Sequence, residues 1–569
     1  MPVLALPPSP VVLSKARWED IAPYFDDLAE RPLDEATVEG WLQSWSTLEE
    51  LVTEAAAVAM IAYTIDTSDA EKEADHLRFS TEVLPRMEER SVELARRLVE
   101  SGFNTPAMET TLARFRTSIE IFREANVAIF SELEELSARY QRITGSMMVE
   151  WEGQERPLPQ LQPFLKSADR AVRERAFRAA ASPYLDKHDD LAGLFDRMYG
   201  LRQQAARNAG FANFRDYIFP AKYRFYYTPA DCERFHHAIE ETAAPAVERM
   251  LAVRRKRLSL DVLRPWDLAV DPYRQAPLRP FTTTEEFVGR ARGVFGKVDP
   301  ALGTEFQTMI DERLLDLDSR KGKAPGGYCE TLHHRGRPFI FMNAVGLVDD
   351  VMTLLHEAGH AFHAFASHSQ PLIWQRHPGS EAAELASMSM ELLAGPHLAK
   401  PVGYFATDEH RSAWLEHLED ILLSLVHIAS VDAFQTWIYT SGDGGDAAAR
   451  DAAWLRIRQR FERGVDWSGL ERERVARWYR QLHIFQYPFY YIEYGIAQIG
   501  ALQVWRNSRR DHAGAVAQYR RALALGAVRG LPEIYRTAGA ELTFDVKVIG
   551  ELVKLVEEEI ERVRAELPG

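Results

Sequence analysis

The sequence predicts a mostly α-helical protein, a multi-helix body that carries one small β-sheet. Three observations predict it. Apolar residues recur at three- and four-residue steps through most of the chain. Alternating, β-branched runs are few. No fixed-period repeat is visible, which excludes a regular solenoid. At 569 residues the chain is long enough to bury a large core without disulfide or metal staples.

The elements follow in chain order. From Asp34 to Asp66, residues such as Trp41, Leu42, Trp45, Leu48, Leu51 and Val52 keep helical spacing. Amphipathic stretches continue over Ala70–Glu100, Thr110–Ser137, Ala168–Ser182, Tyr184–Ala209 and Pro229–Arg257. Gly102, Pro106, Gly145, Pro183 and Gly210 punctuate them. Met147–Trp151 followed by Glu152-Gly153-Gln154 reads as a short hairpin. Gly327–Leu332, a turn at His333–Gly336 and Pro338–Asn343 read as a second strand pair. Pro338 lacks a donor N–H, so the second of these strands is expected at a sheet edge. From Val348 the pattern is helical almost to the end. Arg156–Gln162 and the proline-rich Val262–Thr284 read as linkers. A cut within Gly200–Ala212 divides the chain into an N-terminal helical region, 1–205, and a region carrying the chemistry, 206–569.

Charge narrows the partners. Lys plus Arg number 68 and Asp plus Glu 84, a net of −16. Such a chain is a poor generic binder of nucleic acid or of an anionic membrane. Arg254-Arg255-Lys256-Arg257 reads as the solvated end of a helix. Two cysteines, Cys232 and Cys329, exclude a disulfide framework and a cysteine-based zinc site. The N-terminal Met1–Pro10 has no basic start and no long apolar core, and Ala55–Ile65 is too short to span a bilayer. The expected place is the cytoplasm, with no membrane or nucleic-acid partner; oligomeric state is not legible.

The chemistry is concentrated at Leu354-Leu355-His356-Glu357-Ala358-Gly359-His360. On a helix His356 and His360 share one face, so both imidazoles can bind one zinc ion. Glu357 adjoins the first ligand and is placed to act on water as a general base. Chance alone gives this pentapeptide in roughly a few per cent of chains of this length and composition. The competing reading is two histidines and a glutamate on an ordinary surface helix. A catalytic zinc also needs a third protein ligand and an open position. A second helix beginning near Ser380, read as its N-cap, offers Glu381 and Glu384. Spacing does not decide between them. Glu384, Ser387 and Glu391 share one face, so Glu384 with Glu391 as outer support is coherent. Position 366 is Ala, where a third histidine ligand six residues after His360 would stand. His363 reads as packed, and Asp349 and Asp350 as helix caps.

The run Arg320–Tyr328, then Phe341-Met342-Asn343, Asp349-Asp350-Val351, His356–His360 and Glu384-Leu385-Ala386-Ser387 with Glu391 resembles oligoendopeptidase F and the thimet oligopeptidases. The likeness runs from about Met147 to the C-terminus. The resemblance implies a zinc endopeptidase cleaving short unstructured oligopeptides, with one Zn²⁺ per chain held by His356, His360 and Glu384. It implies a zincin-type active-site helix beside the small sheet, and halves separated by a deep substrate channel. It also directs attention to His483–Tyr494, where such a family uses a histidine and tyrosines to bind the substrate carbonyl. Glu357, His483, Tyr491 and Tyr494 are the expected catalytic residues; Tyr487, Tyr490, Phe341 and Asn343 are the expected substrate contacts. Tyr487, Tyr491 and Tyr494 would share a helix face if the helix tolerates Pro488 in its first turn. The Pro338–Asn343 strand could pair with an extended peptide, and Lys321–Gly327 reads as a mobile loop beside it. Two alternatives are a non-catalytic, metal-stabilised helical peptide-binding protein and a zinc aminopeptidase.

Overall fold

A computed structural model describes residues 4–274 and 278–567. Met1–Val3 and Pro277, on which the N-terminal and linker readings touch, lie outside that range. The fold is mostly helical, with two small sheets. One is the hairpin of β1 (Met148–Trp151) and β2 (Gln154–Pro157). The other joins β3 (Leu315–Asp318), β4 (Tyr328–Leu332) and β5 (Arg337–Ala344) in the order β3-β5-β4.

Two compact units form, each from separated stretches of chain. Met1–Ile121, Arg279–Thr407 and Gly500–Leu542 make the first; Phe122–Leu278, Asp408–Ile499 and Thr543–Gly569 make the second. The expected boundary between residues 205 and 206 falls inside the helix His188–Asn208, and both of its sides belong to the second unit.

In the first unit the helix Val38–Ile65 buries Trp41, Trp45, Leu48 and Val52, the stripe its periodicity predicts. Within Ala55–Ile65, Ala55, Ala56, Ala57, Ala59 and Ile61 are buried while Val58 is exposed, so that stretch is one side of a packed helix. Trp45 packs at 4.3 Å from Trp374 and 5.2 Å from Phe115. Both tryptophan N–H groups donate to the buried Glu49 carboxylate at 2.7 Å. Burial raises the Glu49 carboxyl above its ordinary range, and these donors partly offset it. The network ties the segment around Trp374 to the N-terminal helices.

β5 is the central strand, not an edge. It runs parallel to β3 (Leu315↔Ile340) and antiparallel to β4 (Tyr328↔Phe341). Pro338 sits near the strand's start, opposite Thr331, where a missing N–H removes a single ladder bond. The unexpected partner is β3, whose Leu315-Asp316-Leu317-Asp318 is too short to announce itself. Lys323 then pins the following loop. Its buried ammonium donates to Asp316 O (3.0 Å), Asp316 Oδ1 (2.7 Å), Asp318 O (2.8 Å) and Met342 O, and lies 4.3 Å from the Phe341 ring centre. Gly322 O accepts from Thr67 N–H and Oγ1, and Ala324 N–H donates to Thr64 O. The Lys321–Gly327 segment is therefore a tied loop, contrary to the mobile one expected.

In the second unit the helix Thr407–Thr440 contains an 18-residue window of mean hydropathy 1.5. Length and composition would let it cross a membrane, but 72% of that window is buried, as in a core helix. Arg254, read as solvated, instead bonds Glu419 (2.9 Å) and two backbone carbonyls.

Candidate metal centre and tyrosine cluster

The helix Val348–Ser367 follows β5 directly. Asp350 Oδ2 accepts from Val345, Gly346 and Leu347 N–H, each at 2.8 Å, which satisfies the turn entering the helix. Asp350 is thus a cap, as expected. The second helix, Ser380–Ala394, also starts where predicted, but Gly379 is its N-cap and no side chain caps it. Gly379 has φ +127°, open to glycine and strained for other residues, so Ser380 becomes the first helical residue instead.

Gly359 explains why the two helices meet so closely. A Cβ there would lie 2.5 Å from Ser387 Cα and 2.7 Å from Ala386 O. The glycine between the two histidines lets one backbone lie against the other. That approach carries Glu384 to the histidines. Its Oε2 lies 3.3 Å from His356 Nε2 and 3.6 Å from His360 Nε2. Ligand atoms of all three residues fall within 4.8 Å of one another. Ser387 Oγ donates to Glu384 Oε2 at 2.9 Å and fixes the carboxylate. Glu391 Oε1 lies 2.7 Å from His356 Nδ1, leaving Nε2 directed toward the group. Glu381 is buried on the same helix, and its carbonyl accepts from Tyr535 Oη. It is not among the converging atoms.

The electrostatics suit a cation. Burial opposes ionisation of Glu384, but His360, His356 and Ser387 overcome it and hold the carboxyl down to about 2. Burial disfavours charge on His356, yet Glu384 and Glu391 hold its pKa well above the usual value. Burial pushes His360 down to about 4, leaving a neutral imidazole. The two carboxylates thus favour positive charge at His356, and a divalent cation would supply that charge. Two imidazole nitrogens and a carboxylate are a donor set that fits zinc. Burial raises the Glu357 carboxyl to about 7; His356 opposes the rise, and Glu384 and Glu391 add to it. His363 is buried and neutral, pushed down to about 3, in keeping with a packed role.

Phe341 and Asn343 do not offer free side chains. Phe341 is fully buried, stacked 4.8 Å from Tyr328. The Asn343 amide donates to Ala324 O (2.8 Å) and Gly326 O (2.9 Å), closing the loop before β4. With β5 central, β3 and β4 are the two edge strands of this sheet.

The second unit gathers the other candidates. The His483 ring lies 5.0 Å from Tyr491, 5.7 Å from Tyr490, 6.0 Å from Tyr494 and 6.1 Å from Tyr487. The helix expected to carry three tyrosines is broken. Leu482–Gln486 ends before Tyr487, and the next helix starts at Tyr491. Phe489 between them has φ +62°, incompatible with a continuing helix. Tyr487 is therefore off the face that Tyr491 and Tyr494 share, and it is exposed. The Tyr491 hydroxyl donates to Gln481 Oε1 at 2.9 Å. Lys222 lies 4.9 Å from the Tyr490 ring centre and 3.1 Å from Glu493 Oε1, which also takes Arg224 at 2.7 Å. Gln435 Oε1 accepts from Phe489 N–H at 2.8 Å. Sequence reasoning missed Gln481, Lys222, Arg224 and Gln435, which lie far apart in the chain and form no motif.

Residues 164–552 match Peptidase family M3, and residues 9–122 match the Peptidase M3 N-terminal domain. Oligopeptidase PepF of Bacillus subtilis is 24% identical over 70% of this chain; the match covers 58% of that relative's length. Among solved structures, Pz peptidase A with an inhibitor superposes with a TM-score of 0.89 at 26% identity, covering 97% of this chain and 99% of that one. A chain named as oligoendopeptidase F also gives 0.89, at 27% identity over 96% and 97% of the two chains. The N-terminal match reaches the region where sequence reading found only helical character. Because the 164–552 match spans most of the chain and contains both histidines, Glu357, Glu384 and the His483–Tyr494 segment, this chain belongs to peptidase family M3.

Proposed function

We propose that this protein is a zinc-dependent endopeptidase that hydrolyses short, unstructured oligopeptides. The observation that carries the reading is the convergence of His356, His360 and Glu384 with Glu357 one residue from the first of them. One zinc ion per chain, held by those three residues, would polarise the scissile carbonyl and acidify water. Glu357 takes the proton of the attacking water and passes it to the leaving amine. Glu391 orients His356 through Nδ1, and Ser387 orients Glu384.

His483, Tyr490 and Tyr494 donate to the oxygen on which charge develops. Tyr491, whose hydroxyl donates to Gln481, orients this group. The exposed Tyr487 contacts the peptide beyond the scissile residue. Extended substrate pairs with the free side of β4, while Phe341 and Asn343 hold that strand and its loop in place. A deep channel would admit loose peptides and bar folded proteins. The two free thiols support a cytoplasmic setting.

The test is mass-spectrometric mapping of products from a mixed peptide library, with and without a chelator. Internal cleavage of blocked peptides, abolished by the chelator and restored by zinc, is the expected result. Cleavage confined to free N-termini would replace the reading with an aminopeptidase. No cleavage in the presence of zinc would make the protein a binder.

A further inference from the structure

Away from the metal-ligand residues, the second unit contains a cavity of about 270 Å³ whose lining residues all belong to that unit. Val247 and Leu251 reach it from the helix Ala243–Arg257, and Leu423 and Val426 from the helix Thr407–Thr440. Leu268 and Val465 complete the apolar part.

The polar part is unevenly charged. Arg458, Arg463 and Arg477 line it against one carboxylate, Glu462. Glu462 is already shared: Arg477 lies at 2.6 Å, Arg458 at 2.7 Å, and Arg474 at 2.9 Å. Arg463 makes no ion pair among the described residues; its Nη2 reaches the Glu240 carbonyl at 3.3 Å. Arg458 Nε is buried and has no hydrogen-bond partner, on a side chain only 4% exposed. A buried, unmatched donor is costly unless something accepts from it. His427, the remaining polar lining residue of note, accepts from Arg458 Nη1 at 3.1 Å and so adds no balancing anion.

Size and chemistry limit the ligand. A cavity of about 150 Å³ holds a benzene molecule, so this one has room for a small branched molecule and not for a peptide. Inorganic anions would leave the aliphatic part of the lining unused, and neutral alkanes would leave the guanidiniums unmatched. We infer that this cavity is a binding site for a small aliphatic carboxylate, its chain among Leu251, Leu268, Val426 and Val465 and its carboxylate against the Arg458 and Arg463 guanidiniums. A charge-assisted guanidinium–carboxylate contact fixes the head, and burial of the branched tail supplies the selectivity.

The probe is 4-methylpentanoate, titrated calorimetrically into the full-length protein. Single-site saturation with a half-point of about 0.1–1 mM is expected for a ligand of this size. Acetate, lacking the tail, and 4-methylpentanamide, lacking the charge, should each bind at least about tenfold more weakly. Two variants separate this site from any other carboxylate site. Arg463→Met removes the unpaired cation at a partly exposed position, and Leu268→Trp fills the cavity. Each should weaken binding at least about tenfold while leaving peptide cleavage and the melting temperature near those of the parent. Should Leu268→Trp fail to fold, Arg463→Met still decides. Chelator should not alter the titration. No saturation by about 10 mM, binding unchanged in Arg463→Met, or binding abolished by chelator would each overturn the assignment.

Discussion

His356 Nδ1 and Glu391 Oε1 lie 2.7 Å apart, across two helices and 35 positions of sequence. The contact sets which imidazole nitrogen remains for a metal. Outer partners of this kind typically contribute 10–100-fold to metal affinity. Glu391→Ala should therefore weaken zinc binding by about 10–100-fold in a competitive chelator titration. Unchanged affinity would make the contact incidental.

Glu384 and Glu381 can be told apart in the same titration. Glu384→Ala removes a converging oxygen and should abolish tight zinc binding. Glu381→Ala should leave metal content intact, since its carboxylate is not among the converging atoms. The reverse outcome would exchange their roles.

Gly359 tests the packing beneath the site. A methyl group there meets Ser387 Cα and Ala386 O, both backbone atoms that cannot swing aside. Gly359→Ala should lower stability by about 1–3 kcal/mol, the usual cost of overpacking. It should also lower zinc affinity, because the helices carrying the ligands must separate. Thermal melting and metal titration read the two effects independently.

Glu462 gives a pH-dependent stability. Burial would raise its carboxyl, but Arg458, Arg477 and Arg474 hold it far below the usual carboxylate range. A depressed folded pKa stabilises the protein above the unfolded value, about 4.3. That stabilisation is lost as pH falls below it toward the folded value. Glu462→Gln should cost about 3–5 kcal/mol at pH 7, because three buried or half-buried guanidiniums lose their anion. In urea titrations the gap between parent and variant should shrink below about pH 4. A gap that does not change with pH would show that the loss is one of shape rather than charge.

Much of this was legible in the sequence where period and chemistry coincide. His356 and His360 fall on one face because four residues make about one helical turn, whereas the close packing at Gly359 between them shows only in the fold. What was not legible depended on distant chain. Spacing left Glu381 and Glu384 open because the connection from His368 to Gly379 can deliver either one. Pro338 argues for an edge, yet β3, four residues of alternating Leu and Asp, pairs with β5 on its other side, so the edges of the sheet are β3 and β4. Tyr487 was grouped with Tyr491 and Tyr494 by helical spacing, which Phe489 interrupts. In sequence Lys323 reads as part of a loose loop, whereas the fold surrounds its ammonium with four oxygens. Two-unit folding from interleaved stretches leaves no compositional mark at all.

The tyrosine cluster divides by hydroxyl. Tyr491→Phe loses the bond to Gln481 and should lower kcat less than about tenfold. Tyr494→Phe removes a proposed donor to the oxyanion and should cost about 10²–10³ in kcat, with little change in KM. Steady-state kinetics on one blocked peptide compares them directly, and equal losses would contradict the division.

The central claim is that Glu357 moves the proton at a zinc site built by His356, His360 and Glu384. Its most direct measurement is oligopeptide cleavage by Glu357→Gln, with zinc content determined on the same sample. The account predicts full zinc occupancy and a rate reduced by at least about 10²-fold. A zinc-loaded Glu357→Gln protein cleaving at the parent rate would contradict it.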